Sequence, residues 1–229
     1  MSLTENLKAV RERIAAAAER AGRDPSEVRI VAITKTHPPG TVDEAVSAGL
    51  SDVGENKVQE FLEKSEKVAA DCRWHLVGHL QRNKVKKIIG RFELIHSLDS
   101  IRLARELNGR SLREEIVTDV LVQVNTSGED SKYGIEPDEA VRFCGEAAQM
   151  EGVRIRGLMT MAPWVDDPQV LRNSFSALRL LRDEIAERGI RGVSMEHLSM
   201  GMSDDFEYAV EEGATLLRLG RVLFGPRQK

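Results

Sequence analysis

A chain of 229 residues with 41% hydrophobic and 31% charged side chains has the balance of a globular protein large enough to bury one sizeable core. Its formal net charge of −4 argues against a general nucleic-acid or membrane-surface binder, which would be basic. No apolar run approaches the roughly 18 to 20 residues that cross a bilayer, and the first residues lack the charge order and apolar block of a signal peptide. Cys72 and Cys144 stand far apart without a CxxC context, so neither a disulfide framework nor a zinc site is indicated, and a cytoplasmic location is expected.

Ser2 and Glu5 have capping-box spacing ahead of a helix. Its stripe, Leu3, Leu7, Val10, Ile14, Ala17 and Ala21, alternates by four and three before Gly22 stops it. Short apolar runs then begin near Val28, Asp52, Arg73, Glu93, Thr118, Val153, Val193 and Thr215. Helical stretches separate them: "GTVDEAVSAGL", "NKVQEFLEKSEKVAA", "QRNKVKKIIGRF", "SIRLARELN" and "PDEAVRFCGEAAQM". The longest, "DPQVLRNSFSALRLLRDEIAERG", places Pro168 in its first turn and repeats Leu171, Phe175, Leu178, Leu181 and Ile185 on one face. Strands alternating with helices imply a parallel sheet covered by helices. Eight strand candidates favour an α/β fold closed as a (β/α)8 TIM barrel, with an extra N-terminal helix, in one domain over residues 1–229. An open doubly wound sheet is the rival.

A barrel puts functional residues where strands end. Lys35 ends the first apolar run, "VRIVAITK". Either its stem packs with the charge in water, or it is a partly desolvated amine able to attack a carbonyl. "LSMGMSDDF" alternates Ser199, Gly201 and Ser203 with methionines before a helix starting near Asp204. That pattern suits an anion site, or else an ordinary loop with a serine cap. "RLGR", Arg218 to Arg221, ends the last strand, and the seventh and eighth loops of a barrel are neighbours. An amine, an anion cradle and an arginine between them suit a small phosphorylated carbonyl compound. Pyridoxal 5′-phosphate (PLP) fits, with Lys35 at its aldehyde, Ser203 and Gly220 at its phosphate and Arg218 facing its ring.

The runs "ITKTHPP", "GENKVQE", "WHLVGHLQRNK", "VNTSGEDSKYG", "GLMTMAP" and "HLSMGMSDDF" followed by "LLRLGRVLFG" resemble the pyridoxal-phosphate homeostasis proteins (the YggS/PROSC family). The fold of that family is similar to the barrel domain of alanine racemase, and the likeness runs from about Val28 to Gly225. The resemblance implies that Lys35 forms an internal aldimine with PLP and that Asn56 and His75 lie near the cofactor. It implies further that Ser199, Gly201, Met202 and Ser203 hold the phosphate, with Gly220 opposite, and that Arg218 approaches the pyridine nitrogen. Two positions depart from the pattern. Lys57 stands where relatives usually carry an aromatic. Arg221 replaces a hydroxyl residue after "RLG" and is either a phosphate contact or an outward-pointing side chain.

An arginine beside the ring nitrogen disfavours ring protonation and weakens the ring as an electron sink. Alanine racemase pairs its lysine with a tyrosine from an additional domain. Here Tyr133 and Tyr208 are the only tyrosines, the chain stops about ten residues after the last strand, and a second base is not evident. The expectation is a monomeric PLP carrier in vitamin B6 homeostasis without turnover, with PLP-requiring apoenzymes as possible recipients. A racemase of restricted activity is the first alternative, and a Schiff-base aldolase the second. The i, i+4 pair His75 and His79 is read as packing rather than zinc, and His96 has no supporting cluster. His37 is read as a loop residue, while His197 and Trp164 are placed at the barrel mouth. The bases of "QRNKVKKIIGR" are read as a solvated helical face.

Overall fold

The computed structural model describes residues 2–129 and 132–226. Among them, the parallel strands β1 (Arg29–Ile33), β2 (Asp52–Glu55), β3 (Arg73–Leu76), β4 (Leu94–Leu98), β5 (Thr118–Gln123), β6 (Val153–Met159), β7 (Val193–Ser199) and β8 (Leu216–Leu219) close in that order into a barrel. β1 completes the ring by pairing with β8, Val31 opposite Arg218. This is the expected (β/α)8 architecture. The open-sheet rival is excluded by the closing pair.

The helices are α1 (Leu3–Arg20), α2 (Pro39–Ser47), α3 (Val58–Ser65), α4 (Ile101–Arg113), α5 (Ala140–Ala147), α6 (Pro168–Glu187), α7 (Phe206–Glu211) and α8 (Arg221–Phe224). After β3 the crossover is a 3-10 helix, Arg82–Lys87, and not the α-helix expected there. Its run of lysines gives little apolar surface to a long helix, and Val85 is its buried residue. α7 begins at Phe206, two residues later than expected, because 203–205 form a turn.

The capping box at Ser2 and Glu5 forms, with both reciprocal hydrogen bonds made. The α1 stripe is buried from Leu3 to Ala17, but the C-cap Ala21 is exposed and Ala18 packs in its place. α1 lies on α7 and α8, and Asn6 Nδ2 donates to the Leu223 carbonyl at 2.8 Å. Burying each large aliphatic of this stripe is worth about 1.5–3 kcal/mol, so α1 is part of the barrel's support and not an appendage. On α6 the expected face, Leu171, Phe175, Leu178, Leu181 and Ile185, is buried throughout.

Strand alternation sorts the two cores. Ile30, Ala32, Leu217 and Leu219 face the helices, while Val31, Ile33, Leu94, Leu121, Met159 and Leu216 pack together inside the barrel. The interior also holds polar groups, on β3, β4, β7 and β8: His75, His96, Ser199 and Arg218 are all 5% exposed or less. Buried polar groups persist only when hydrogen-bonded, and these are bonded to one another. Among the described residues, no helix is long and apolar enough to cross a membrane.

Candidate functional site

A cavity of about 620 Å³ opens where the strands end, within the usual size of a small-molecule site. Lys35 and Asn56 line it after β1 and β2, His79 after β3, Tyr133 after β5, Trp164 after β6, Met202 and Ser203 after β7, and Arg218, Gly220 and Arg221 on or after β8. Seven of the ten residues singled out from the sequence therefore share one cavity.

Lys35 is half-buried, two residues beyond β1. The next residue, Thr36, has φ 68°, a left-handed conformation that costs a threonine on the order of 1 kcal/mol or more. Neighbouring groups hold it there. The Thr36 N–H donates to the Glu60 carboxylate, and Lys64 Nζ donates to the Thr34 carbonyl at 2.7 Å, to Glu55 Oε1 at 2.5 Å and to Glu60 at 3.3 Å. Thr34 Oγ1 adds a 2.7 Å bond to Glu55 Oε1. Burial pushes the Glu55 carboxyl up, and the bonds from Lys64 and Thr34 oppose it. The amine-bearing turn is thus pinned from below by a buried ion pair. Nothing in the sequence reading named this strut, although Val58, Phe61 and Lys64 fall on one face of α3 and are all buried.

Arg218 forms the floor. Its Nη1 donates to Ser199 Oγ and its Nη2 to the Thr160 carbonyl, both at 2.7 Å. Burial lowers its pKa to about 10, with the Asp205 charge opposing, so the guanidinium is a cation at neutral pH. Asp205 is itself pushed up by burial while accepting from the Met202 N–H at 2.5 Å. Gly220 is tight: a Cβ there would stand 3.3 Å from the Ile33 carbonyl oxygen. It opens α8, and the N-cap residues of α7 and α8, Asp205 and Gly220, make no side-chain cap bond of their own. Arg221 is paired with Asp204 across the loops after β7 and β8, both more than half exposed. Ser203 Oγ accepts from the Val222 N–H at 3.2 Å and ties the same two loops together.

His75, Ser199 and Gly201 are not among the cavity walls. Gly201 (φ 91°) lies against α7, where a Cβ would stand 2.6 Å from that of Ala209, and its carbonyl accepts from the Arg218 N–H. His75 and Ser199 belong to a buried chain beneath the floor: His75 Nε2 to Asp52 Oδ1 at 2.9 Å, His75 Nδ1 to His96 Nε2 at 3.0 Å, and His96 Nδ1 to Ser199 Oγ at 2.8 Å. His96 is therefore central, not isolated as expected. His197 also differs from expectation: it contacts Arg29, the first residue of β1, at 3.3 Å and sits at the opposite end of the barrel from the cavity.

His79 lines the cavity, stacked on Tyr133 at 4.1 Å and bonded through Nδ1 to Asp99 at 3.0 Å. Tyr208 lines it too, so both tyrosines border the site. Trp164 is 93% exposed at the rim, where the sequence placed it. His37 is half-buried with its ring 5.2 Å from that of Phe224, and Lys57 is exposed. Among the described residues, no group of histidine, cysteine and carboxylate side chains could hold a metal ion.

The family model described as "Alanine racemase, N-terminal domain" matches residues 6–228. A pyridoxal phosphate homeostasis protein of Aquifex aeolicus is 44% identical over 100% of both chains. One from Escherichia coli K12 is 36% identical over 98% of this chain and 97% of its own. Among solved structures, PipY of Synechococcus elongatus with PLP bound superposes with a TM-score of 0.85 at 32% identity, covering 98% of this chain and 100% of PipY. An alanine racemase of Clostridium difficile gives a TM-score of 0.77 at 14% identity, covering all of this chain and 57% of that one, a likeness of fold alone. The chain belongs to the pyridoxal phosphate homeostasis protein family.

Proposed function

We propose that the chain binds PLP reversibly in the barrel-mouth cavity and acts in PLP homeostasis as a carrier without turnover. The observation that carries this reading is the placement of Lys35, buried Arg218 and the Ser203–Gly220–Arg221 rim around a single cavity. The residues fit the group. Lys35 supplies an amine for a reversible covalent link to the aldehyde carbon, with loss of water. The Ser203 hydroxyl and the close backbone approach that Gly220 permits suit a phosphate, and Arg221 adds a charge-assisted contact. Asn56 and Met202 border the ring's space.

When bound, PLP supplies an electron sink for carbanion chemistry, strongest with its ring nitrogen protonated. Arg218, a cation already committed to Ser199 and Thr160, opposes protonation of a nitrogen placed beside it. That favours storage over turnover. His75 and Ser199 act at one remove, by holding Arg218. A cytoplasmic monomer that passes PLP to apoenzymes completes the proposal.

Comparing PLP with pyridoxal, which lacks the phosphate, tests the anchoring. Two or more charge-assisted bonds at about 1.5–3 kcal/mol each place pyridoxal at least ~100-fold weaker by equilibrium titration. Arg221→Ala is expected to lower PLP affinity by roughly 3- to 10-fold and leave pyridoxal unchanged, with stability altered by less than ~1 kcal/mol because its ion pair is exposed. Equal affinity for the two vitamers would contradict the assignment.

One observation favours a second reading, a racemase of restricted scope: His79, oriented by Asp99, is a proton acceptor on the wall of the same cavity as Lys35. Exchange of an amino acid's α-proton in D2O, lost in His79→Gln, would support it. No exchange above buffer leaves the carrier reading standing.

A further inference from the structure

The chain of bonds beneath the cavity runs the length of the barrel, from Asp52 at the start of β2 to Arg218 near the end of β8. Its two ends have fixed roles. Arg218 only donates, and the Asp52 carboxylate only accepts. Asp52 is held as a carboxylate: burial would raise its pKa, but the bonds from His75 and Arg73 outweigh that and keep it well below the ordinary range. His75 Nε2 must therefore carry a hydrogen, because it faces Asp52 Oδ1 at 2.9 Å.

Between these ends, with His96 neutral, only two arrangements satisfy every contact. In the first, Arg218 donates to Ser199, Ser199 to His96 Nδ1, His96 Nε2–H to His75 Nδ1, and His75 Nε2–H to Asp52. In the second, an added proton on His75 Nδ1 drives the two central bonds the other way. His96 then donates to Ser199, and the Ser199 hydroxyl hydrogen loses its acceptor inside the barrel. The second arrangement places another positive charge in an interior already bordered by Arg218 and Arg29, beside the apolar Leu94, Leu121 and Leu216. A buried hydroxyl donor without a partner costs about 1–3 kcal/mol. Burial, with the nearby Arg218 charge adding to it, also holds His96 well below the ordinary histidine range, so it stays neutral with one hydrogen to place.

We propose that Asp52 is a positioning residue for Arg218, acting from the far end of the barrel through a one-way chain in which Arg218 donates to Ser199, Ser199 to His96, His96 to His75 and His75 to Asp52. The chain turns the Ser199 hydroxyl hydrogen onto His96 Nδ1 and so keeps that oxygen's lone pair aimed at Arg218 Nη1, which fixes the edge of the guanidinium left for the cavity. The consequence for PLP rests on the reading that Arg218 faces the bound ring. The tautomers themselves belong to the cofactor-free protein.

Two measurements test it. In cofactor-free protein, long-range 1H–15N spectra are expected to show both His75 and His96 as Nε2–H tautomers with unprotonated Nδ1. A hydrogen on His96 Nδ1 would overturn the proposal. Asp52→Asn keeps the shape but offers an amide donor to His75, an exchange that in a serine-protease triad leaves geometry intact with the wrong tautomer. It is expected to shift the His96 and Arg218 side-chain resonances and, in PLP-loaded protein, to move the visible absorption band and speed PLP release by roughly 3- to 10-fold, a loss of about 0.7–1.4 kcal/mol.

Arg73→Gln is the control. It removes the Arg73–Asp52 ion pair, 2.7 Å between Nη2 and Oδ2, but leaves the acceptor at the chain's end. Arg218 signals and the visible band should stay at their wild-type positions. If both variants or neither move them, Asp52 is merely structural and the proposal fails. Should Asp52→Asn not fold, the wild-type tautomers and the Arg73→Gln spectrum still decide. Failure of wild type to take up PLP would sink the cofactor reading and leave the tautomers as measured.

Discussion

Replacing Lys64 by methionine is expected to destabilise the protein by about 3–5 kcal/mol, the usual cost of removing one partner from a buried ion pair. The pair is 2.5 Å long, with Lys64 4% and Glu55 0% exposed, and Glu55 Oε2 is already without a hydrogen-bond partner. Methionine would leave a buried carboxylate that keeps its bond from Thr34 Oγ1 but loses the Lys64 charge, with the Glu60 carboxylate nearby. The pH dependence follows from the sign of the shift. A carboxyl whose folded pKa is raised is penalised while ionised, so the deficit is full at neutral pH. It shrinks as pH falls through the raised folded value toward the unfolded value near 4.3. Urea unfolding at pH 7 and pH 5 measures both effects. The double replacement Lys64→Met with Glu55→Leu should recover most of the loss, because the unpaired charge is gone. A single-variant deficit below about 1 kcal/mol at pH 7 would show that the pair is not buried as described.

The second large effect is expected at Gly78. A Cβ there would lie 2.1 Å from the Asn56 carbonyl oxygen and 2.9 Å from Asn56 Cα, both backbone atoms that cannot rotate away. Gly78→Ala must therefore push the ends of β2 and β3 apart, at a cost of roughly 3 kcal/mol or more. Asn56 and Gly78 both line the cavity, so PLP affinity should fall about tenfold or more in the same variant. Gly109→Ala is the contrast. That glycine lies inside α4 with nothing within 4 Å of its added Cβ, and alanine should stabilise by about 0.5–1 kcal/mol without touching PLP uptake. Equal stability of the two variants would contradict the close approach of β2 and β3.

Those two sites mark the boundary of what the sequence could say. The strand starts at Asp52, Arg73, Thr118, Val153 and Val193 were legible because β-branched runs alternate there with amphipathic helices. The α6 stripe was legible because twenty residues give the 3.6-residue period room to repeat. The crossover after β3 misled for the opposite reason: a short lysine-rich segment reads as a solvated helix but forms a 3-10 turn. Lys35, Arg218 and the glycine turns stood out because they interrupt apolar runs. Lys64 did not, since a lysine among glutamates on a helix has the look of surface, and only tertiary packing buries it. Asp52, His75, His96 and Ser199 come from four strands separated by up to 147 positions (199 − 52), and no local pattern announces that they meet. Asp52 reads as a strand edge and His96 as a lone histidine until the barrel closes.

The visible absorption spectrum of the purified protein with added PLP tests the central assignment most directly. The placement of Lys35 on the wall of the cavity that the Ser203–Gly220 rim also borders predicts an imine band that Lys35→Ala abolishes, with borohydride fixing the label on the peptide that carries residue 35. A band of full strength in Lys35→Ala, with the reduced label on another lysine, would contradict it.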